Sequence, residues 1–250
     1  MSLLRIDGLS KSFGGLKALN DVSFEVESGS IHGLMGANGA GKTTLFSIIA
    51  GNVKPNAGRI RFDGMEIQGM RPDQVCQRGI ARTFQIVRPF PGLTVRQNVE
   101  TAALYGRSER LTSIEARKVA DAVLAEIGLD GQADKPAATL TLSGRKRLEV
   151  ARALATGPKL LMLDEVMAGL TPTEVSEMMA TIRRLKAAND LTILIIEHVV
   201  SALSDLSDRI TVLHHGEKIA DGTARDIAEN RVVQAAYFGA DDDTEEAAHV

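Results

Sequence analysis

The sequence has one cysteine, no tryptophan and two tyrosines. A single thiol excludes an internal disulfide, and Cys76 has no ligand partners at metal-binding spacing. It is expected to be a semi-buried, inert side chain, and the composition suits a reducing cytosol. Long apolar runs are also missing. None approaches the ~20 residues that a membrane helix needs, and "LTILII" at 191–196 has the length of a buried strand. The first residues turn polar after Leu4, so no signal peptide is read there. Any membrane link is expected to come through a partner. An excess of one charge is absent too. Lys and Arg number 29 against 32 Asp and Glu, a net charge of −3, which removes the global electrostatic case for nucleic acid.

What is present is an ordinary globular balance. The 250 residues are 44% hydrophobic and 24% charged, enough for one domain, alone or with a subdomain. "LLRIDGLSKSF" and "LNDVSFEVESGS" near the start have strand period, with turn residues between them. "GRIRFDGMEI" at 58–67 is another such strand, with Asp63-Gly64 as a turn. Together they predict a small antiparallel sheet. "IHGLMG" (31–36), "KLLMLDE" (159–165) and "LTILIIEH" (191–198) are nearly continuous apolar runs, as suits strands covered on both faces of a parallel sheet. Helical pattern follows each, over Lys42–Ala50, Pro172–Asn189 and Val199–Leu206. Residues 94–156 lack strand pattern and read as an inserted helical subdomain. Within it, "SIEARKVADAVLAEIGL" sets Ile114, Val119, Val123, Leu124 and Ile127 near one face, with Gly128 as a stop. The acidic run at 240–250 has no apolar period and is expected to be a solvated, disordered tail.

The strongest motif is "GANGAGKTT", Gly36 to Thr44. It fits G-x-x-x-x-G-K-[ST] between a strand and a helix. Backbone N–H groups that wrap a polyphosphate need small neighbours, and Gly36, Ala37, Gly39, Ala40 and Gly41 supply them around Asn38. The following helix directs its positive end at the phosphates. Lys42 is expected to reach the β- and γ-phosphates and Thr43 to offer its hydroxyl to Mg²⁺, with Thr44 beside it. About 120 residues further on, "LLMLDE" ends a buried strand in two carboxylates. Burying both is costly unless a cation offsets them, so Asp164 is read as a Mg²⁺ ligand. Glu165 is then placed to activate a water for attack on the γ-phosphate. His198, just after "ILIIE", falls where a γ-phosphate contact is expected. His32, His214, His215 and His249 have no comparable setting and are read as bland. The fold class is α/β: a P-loop NTPase core with a mainly parallel sheet, an N-terminal antiparallel β subdomain and the inserted helices.

The ordered series of P-loop, "ARTFQ", helical insert, "LDE" and "EH" resembles the ATP-binding subunit of ABC transporters over residues 3–239, as one nucleotide-binding domain. "LSKSFGGLKALNDVSFEV", "GIARTFQIVRPFPGLTVRQNV", "AGLTP" and "VVQAAYFG" look like the branched-chain amino acid importer group. The resemblance implies ATP and Mg²⁺ as cofactors. Phe13 matches the aromatic that stacks on adenine. Gln85 matches the glutamine that touches Mg²⁺ and water and senses the γ-phosphate. The segment 86–92 would face a permease subunit, and "AGLT" at 168–171 matches the loop that crosses to a second ATP-binding subunit. Thr171 and Val166 stand where many relatives have Asp and Pro. A periplasmic substrate-binding protein is implied indirectly. The chain would sit in the cytoplasm, on the inner face of the membrane.

One segment departs from the family pattern. The "LSGGQ" signature begins a helix and contacts the γ-phosphate held by the other subunit. Here "LTLSGRKRLEVARAL" (140–154) offers two registers, starting at Leu140 or at Leu142. In the family the signature Leu precedes the Asp by about 24 residues, and Leu140 stands 24 before Asp164. A shift of two residues would also rotate the helix by about 200° and turn Leu148, Val150, Ala151 and Leu154 outward. The reading is therefore Leu140-Thr141-Leu142-Ser143-Gly144, with Thr141 keeping the serine's hydroxyl and the glycines replaced. Arg145, Lys146 and Arg147 are expected to be surface charges. Either the site hydrolyses ATP with altered geometry, or a different partner subunit supplies a better signature. Homodimer and heterodimer stay open. So do other cargoes: urea, short amides, aromatic acids or a lipopolysaccharide in export. A soluble ABC ATPase acting on DNA or ribosomes is disfavoured by the single cassette and the absence of a coiled-coil insert. A GTPase is disfavoured because "NVKP" (52–55) is not an N-K-x-D motif.

Overall fold

Two long strands open the chain, β1 (Ser2–Phe13) and β2 (Leu16–Glu27), paired antiparallel. β4 (Ala57–Phe62) pairs with β1, and β5 (Met65–Glu66) with β4, giving a four-stranded antiparallel sheet in the order β2-β1-β4-β5. The β4–β5 turn is Asp63-Gly64, both residues at positive φ (49° and 77°), as a primed hairpin turn requires. The computed structural model describes residues 1–83, 89–198 and 200–238.

A second sheet is built from β3 (Ile31–Met35), β6 (Ile80–Arg82), β7 (Leu160–Asp164), β8 (Thr192–Ile196), β9 (Arg209–His214) and β10 (Glu217–Gly222). Its order is β10-β9-β3-β8-β7-β6. All neighbours are parallel except the β9–β10 hairpin. The continuous apolar runs are explained by two cores, one on each face. Leu160, Met162, Leu194 and Ile196 pack toward the four-stranded sheet and Phe46. Their alternates Leu161, Leu163, Ile193 and Ile195 pack in the other cluster, with helical residues such as Leu124, Leu148 and Met178.

The helices are α1 (Lys42–Ile49), α2 (Pro72–Gln77), α3 (Val95–Gly106), α4 (Ser113–Ile127), α5 (Leu142–Ala155), α6 (Pro172–Asn189), α7 (Val200–Leu206), α8 (Ala224–Ala228) and α9 (Arg231–Phe238). Their starts are written in the sequence. Thr94, Thr112, Thr171 and Thr223 each close a capping box with the Gln, Glu or Asp three residues on. Gly128 ends α4 in the left-handed conformation, φ 73°, as expected. The stripe on α4 needs one correction. Val123, Leu124 and Ile127 are buried with Ala116 and Ala120, but Ile114 is exposed. Six residues before Ala120, it points roughly 120° round the helix from that residue, off the buried face that Ala116 and Ala120 help define. α3, α4 and α5 pack on one another between β6 and β7. No helix among the described residues is long and apolar enough to cross a membrane.

Candidate nucleotide site

β3 is the strand at which the chain order of the sheet changes direction: β8 flanks it on one side and β9 on the other. Open α/β sheets leave a crevice at the carboxyl end of such a strand. There the chain turns through Gly36–Gly41 into α1. Two glycines are dictated by space. A Cβ on Gly36 would lie 2.5 Å from the Leu213 carbonyl, and one on Gly41 would lie 2.5 Å from the Ala18 carbonyl. Gly41 is also the N-cap of α1 with φ 102°, a region closed to side-chain-bearing residues. Lys42 is buried, and its Nζ donates to the carbonyls of Gly36 (2.6 Å) and Ala37 (3.0 Å). Burial lowers its pKa, while the nearby Glu165 and Asp164 act the other way.

The loop floors an open cleft of about 840 Å³. Asn38, Gly39, Ala40, Gly41, Lys42, Thr43 and Thr44 line it from the loop and α1. Phe13, Leu16, Lys17 and Ala18 line it from the β1–β2 hairpin, and Glu165, His198 and His215 complete it. Phe13 is half exposed, with Lys11 Nζ 5.0 Å from its ring centroid. His215 is a correction: read as bland, it lies on the cleft wall. The reading of His32 stands. It is buried, bonded to Thr211 Oγ1 (2.8 Å) and stacked on Phe24.

The two carboxylates at the end of β7 have different settings. Asp164 is buried, and Arg82 Nη2 donates to its Oδ2 at 2.8 Å. Arg82 Nη1 also donates to Ser47 Oγ on α1 (3.1 Å), so one guanidinium joins this acid to the phosphate-loop helix. Asp164 Oδ1 is buried with no hydrogen-bond partner among the described residues. Glu165 has φ 52°, uncommon for a residue with a side chain. Its Oε1 lies 2.7 Å from His198 Nε2. Its backbone is held from two sides: Glu165 N donates to the Ile196 carbonyl (2.9 Å), and Lys146 Nζ donates to the Glu165 carbonyl (2.7 Å). Glu197 Oε1 accepts from Met167 N (2.9 Å). Burial pushes the Glu197 carboxyl up to about 7, against the opposing effects of the Met167 N–H and the Lys146 charge.

The structure therefore gathers Phe13, the loop residues, Thr43, Thr44, Glu165 and His198 around one cleft, with Asp164 adjoining Glu165 in sequence. Gln85 lies outside the described residues, as do 86–88. Thr141, Leu142, Ser143 and Gly144 are not brought to the cleft. Thr141 is the N-cap of α5, its Oγ1 accepting from Gly144 N at 3.2 Å. Leu142 is exposed, Ser143 half-buried and Gly144 buried. Sequence reasoning missed Arg82 and Lys146. Arg82 stood inside "ARTFQ", where only Gln85 was singled out, and Lys146 was counted among the surface charges.

A Gly-rich loop between a switch-point strand and a helix, facing a Glu–His pair beside a buried Asp, defines a P-loop nucleotide-binding cassette. The chain belongs to the ABC transporter family: the model of that name matches residues 19–168. The "Branched-chain amino acid ATP-binding cassette transporter" model matches residues 217–243. The chain is 38% identical to the high-affinity branched-chain amino acid transport ATP-binding protein BraF of Pseudomonas aeruginosa, over 95% of this chain and 98% of that one. It is 39% identical to the high-affinity branched-chain amino acid transport ATP-binding protein LivG of Escherichia coli, again over 95% and 98%. A solved ATP-binding cassette of an ABC transporter superposes with a TM-score of 0.86 at 31% identity, covering 95% of this chain and 99% of that one.

Proposed function

We propose that the chain is the ATP-binding and ATP-hydrolysing subunit of an importer for branched-chain or related amino acids. The observation that carries the reading is the Glu165–His198 pair on the wall of the cleft that Lys42 and the Gly36–Gly41 loop floor. The loop amides and Lys42 hold the phosphates, and Phe13 stacks on adenine. Glu165 accepts the proton of the attacking water, and His198 orients its carboxylate beside the γ-phosphate. The cargo class rests on similarity to BraF and LivG, branched-chain amino acid transport ATP-binding proteins.

Mg²⁺ fits the residues present. Asp164 Oδ1 is a buried carboxylate oxygen lacking a hydrogen bond among the described residues, and Thr43 is the first-turn hydroxyl next to Lys42. Among the described residues, no three His, Cys, Asp or Glu side chains gather as a cage, which suits an ion that completes its shell with phosphate oxygens and water. When bound, it supplies charge neutralisation at the β- and γ-oxygens. Gln85 is assigned to the same ion on resemblance.

The partners are membrane permease subunits, met on the cytoplasmic face through the segment around 86–92, and a second ATP-binding subunit, identical or different. Thr141–Gly144 then meets the nucleotide on that second subunit. A periplasmic substrate-binding protein acts through the permease, and no nucleic acid is involved. Residues 94–156 form the helical subdomain of a single nucleotide-binding domain; the acidic run at 240–250 lies outside the described residues. The test is ATP-dependent uptake of leucine, isoleucine and valine into vesicles holding the permease subunits, the second ATPase and this chain. Lys42→Ala is expected to abolish this chain's nucleotide binding or turnover. Unchanged turnover in Lys42→Ala overturns the site assignment, and uptake of urea or amides in place of these amino acids overturns the cargo.

A further inference from the structure

Helix α5 carries three consecutive cations, and the structure separates them. Arg145 is exposed. Arg147 is half-buried and pairs with Glu177 on α6 at 2.5 Å. Lys146 is buried, with 6% of its surface exposed, and its Nζ donates to the Glu165 carbonyl at 2.7 Å. A buried ammonium is costly unless a specific acceptor holds it, and here the acceptor is the backbone of the proposed catalytic acid.

That backbone needs holding. Glu165 sits at φ 52°, a conformation that persists only where its surroundings over-determine it. Contacts among the described residues do so around the turn 165–168. Glu165 N reaches the Ile196 carbonyl, and Ala168 N reaches back to the Glu165 carbonyl at 3.3 Å. Met167 N reaches Glu197, and Lys146 reaches the Glu165 carbonyl. The first three come from within the turn or from the β8 end. Lys146 brings α5 into the set. The direction of the Cα–Cβ bond follows from the backbone, so a rotated Glu165 peptide would swing the carboxylate off His198 and away from the cleft.

We propose that Lys146 is a positioning residue for Glu165, whose ammonium fixes the left-handed turn and so aims the carboxylate at the attacking water. Because Lys146 lies on the helix that begins at Thr141, the same contact ties the segment proposed to meet the partner's nucleotide to the acid of this chain's own site. The inference rests on the reading of Glu165 as the base.

The experiment is a double-mutant cycle on the full chain, in whichever assembly shows wild-type turnover, with ATP affinity measured alongside by a fluorescent nucleotide. Lys146→Met is expected to lower kcat by about ten-fold or more, as a misplaced catalytic group does, and to leave KM and nucleotide affinity within about two-fold. In a Glu165→Gln background the same change is expected to alter the residual turnover by less than about two-fold, since the group it aims is gone. A purely structural role would lower turnover by the same factor in both backgrounds, and that result overturns the proposal, as does an unchanged kcat in Lys146→Met. Should Lys146→Met fail to fold by circular dichroism, Lys146→Gln, which keeps a shorter donor, is taken through the same cycle. It is expected to show a smaller kcat loss with the same non-additivity, and additive losses overturn the proposal. Absence of wild-type turnover in every assembly overturns the functional reading itself and this inference with it.

Discussion

Glu165 and Glu197 lie in one cluster at the ends of β7 and β8, yet their environments differ. Glu165 shares its carboxylate with His198 on the cleft wall, whereas Glu197 is buried with Oε2 lacking a hydrogen bond among the described residues. Glu165→Gln keeps the shape and removes the base. It is expected to cut turnover by about two to four orders of magnitude while fluorescent-nucleotide affinity stays within a few-fold, as phosphate-release and binding titrations check. Glu197→Gln tests the buried acid. Its folded pKa of about 7 lies above the ordinary carboxyl value of 4.5. Between those values the folded chain holds a proton that the unfolded chain releases. Its stabilisation is therefore complete below about pH 4.5 and is lost as pH rises through about 7. The Gln variant is expected to be the more stable at pH 8, by up to about 3 kcal/mol, and to show a smaller decline from pH 5 to 8 in urea melts. His32 has the opposite sign. Its pKa falls from 6.5 to about 4 on burial, so its contribution is present above pH 6.5 and lost as pH falls through about 4. Comparing Glu197→Gln with wild type at each pH separates the two. At this scale the sequence was legible where chemistry dictates letters. A phosphate cradle demands Gly36, Gly41, Lys42 and Thr43 in order. Arg82 and Lys146 act on acceptors 82 and 19 residues away, and nothing in their local pattern marks those partners.

Elements were legible because caps and periods are local. The four threonine capping boxes mark helix starts, and the unbroken apolar runs at β3, β7 and β8 follow from cores on both faces of the sheet. α5 is the instructive case. The spacing to Asp164 places the signature start at Leu140; the structure makes the next residue, Thr141, the N-cap of α5, with Leu148, Val150, Ala151 and Leu154 buried. Ser143 lies inside the first turn, and its hydroxyl bonds the Glu174 carboxylate on α6 rather than an end of α5. Thr141→Ala is expected to destabilise the fold by about 1 kcal/mol and to weaken ATP-driven dimerisation. Ser143→Ala is expected to stay within about 0.5 kcal/mol and to affect dimerisation less. Denaturant melts and analytical ultracentrifugation with ATP check both, and the reverse order would restore the register that starts at Leu142. The exposed Ile114 shows the limit of period-reading: the buried face is set by the small Ala116 and Ala120 as well as the large apolar residues, and Ile114 falls off it. The loop before α3 was likewise opaque. Asn98, fully buried, accepts from Phe90 N and donates to the Phe90 and Thr94 carbonyls. It thereby fixes the described end of the segment proposed to meet a permease.

At the scale of the whole molecule, the described residues leave the cleft open. Its described walls come from the β1–β2 hairpin, the phosphate loop, the Glu165–His198 pair and His215, and none comes from Thr141–Gly144. The segment whose exposed Leu142 and capped N-terminus would meet a γ-phosphate is therefore spent elsewhere in the same chain. On the proposed function, a second cassette closes ATP in by presenting its own α5 N-terminus to this cleft. Nucleotide then favours the closed pair by its differential affinity for that state, and hydrolysis removes the bias. Glu165→Gln should hold the pair closed by leaving ATP intact. The expected outcome is that Glu165→Gln elutes near the mass of one 26.7 kDa chain without nucleotide. With ATP it should shift to an assembly of two cassettes, and Lys42→Ala should not. Run alone and then mixed with the second ATP-binding subunit, the same column decides what the altered signature can do. A shift with this chain alone means that Leu142 and Ser143, in place of the two glycines, still allow close backbone approach. A shift only in the mixture means that their bulk keeps this chain's signature from a nucleotide, and that the partner's signature closes over the ATP bound here.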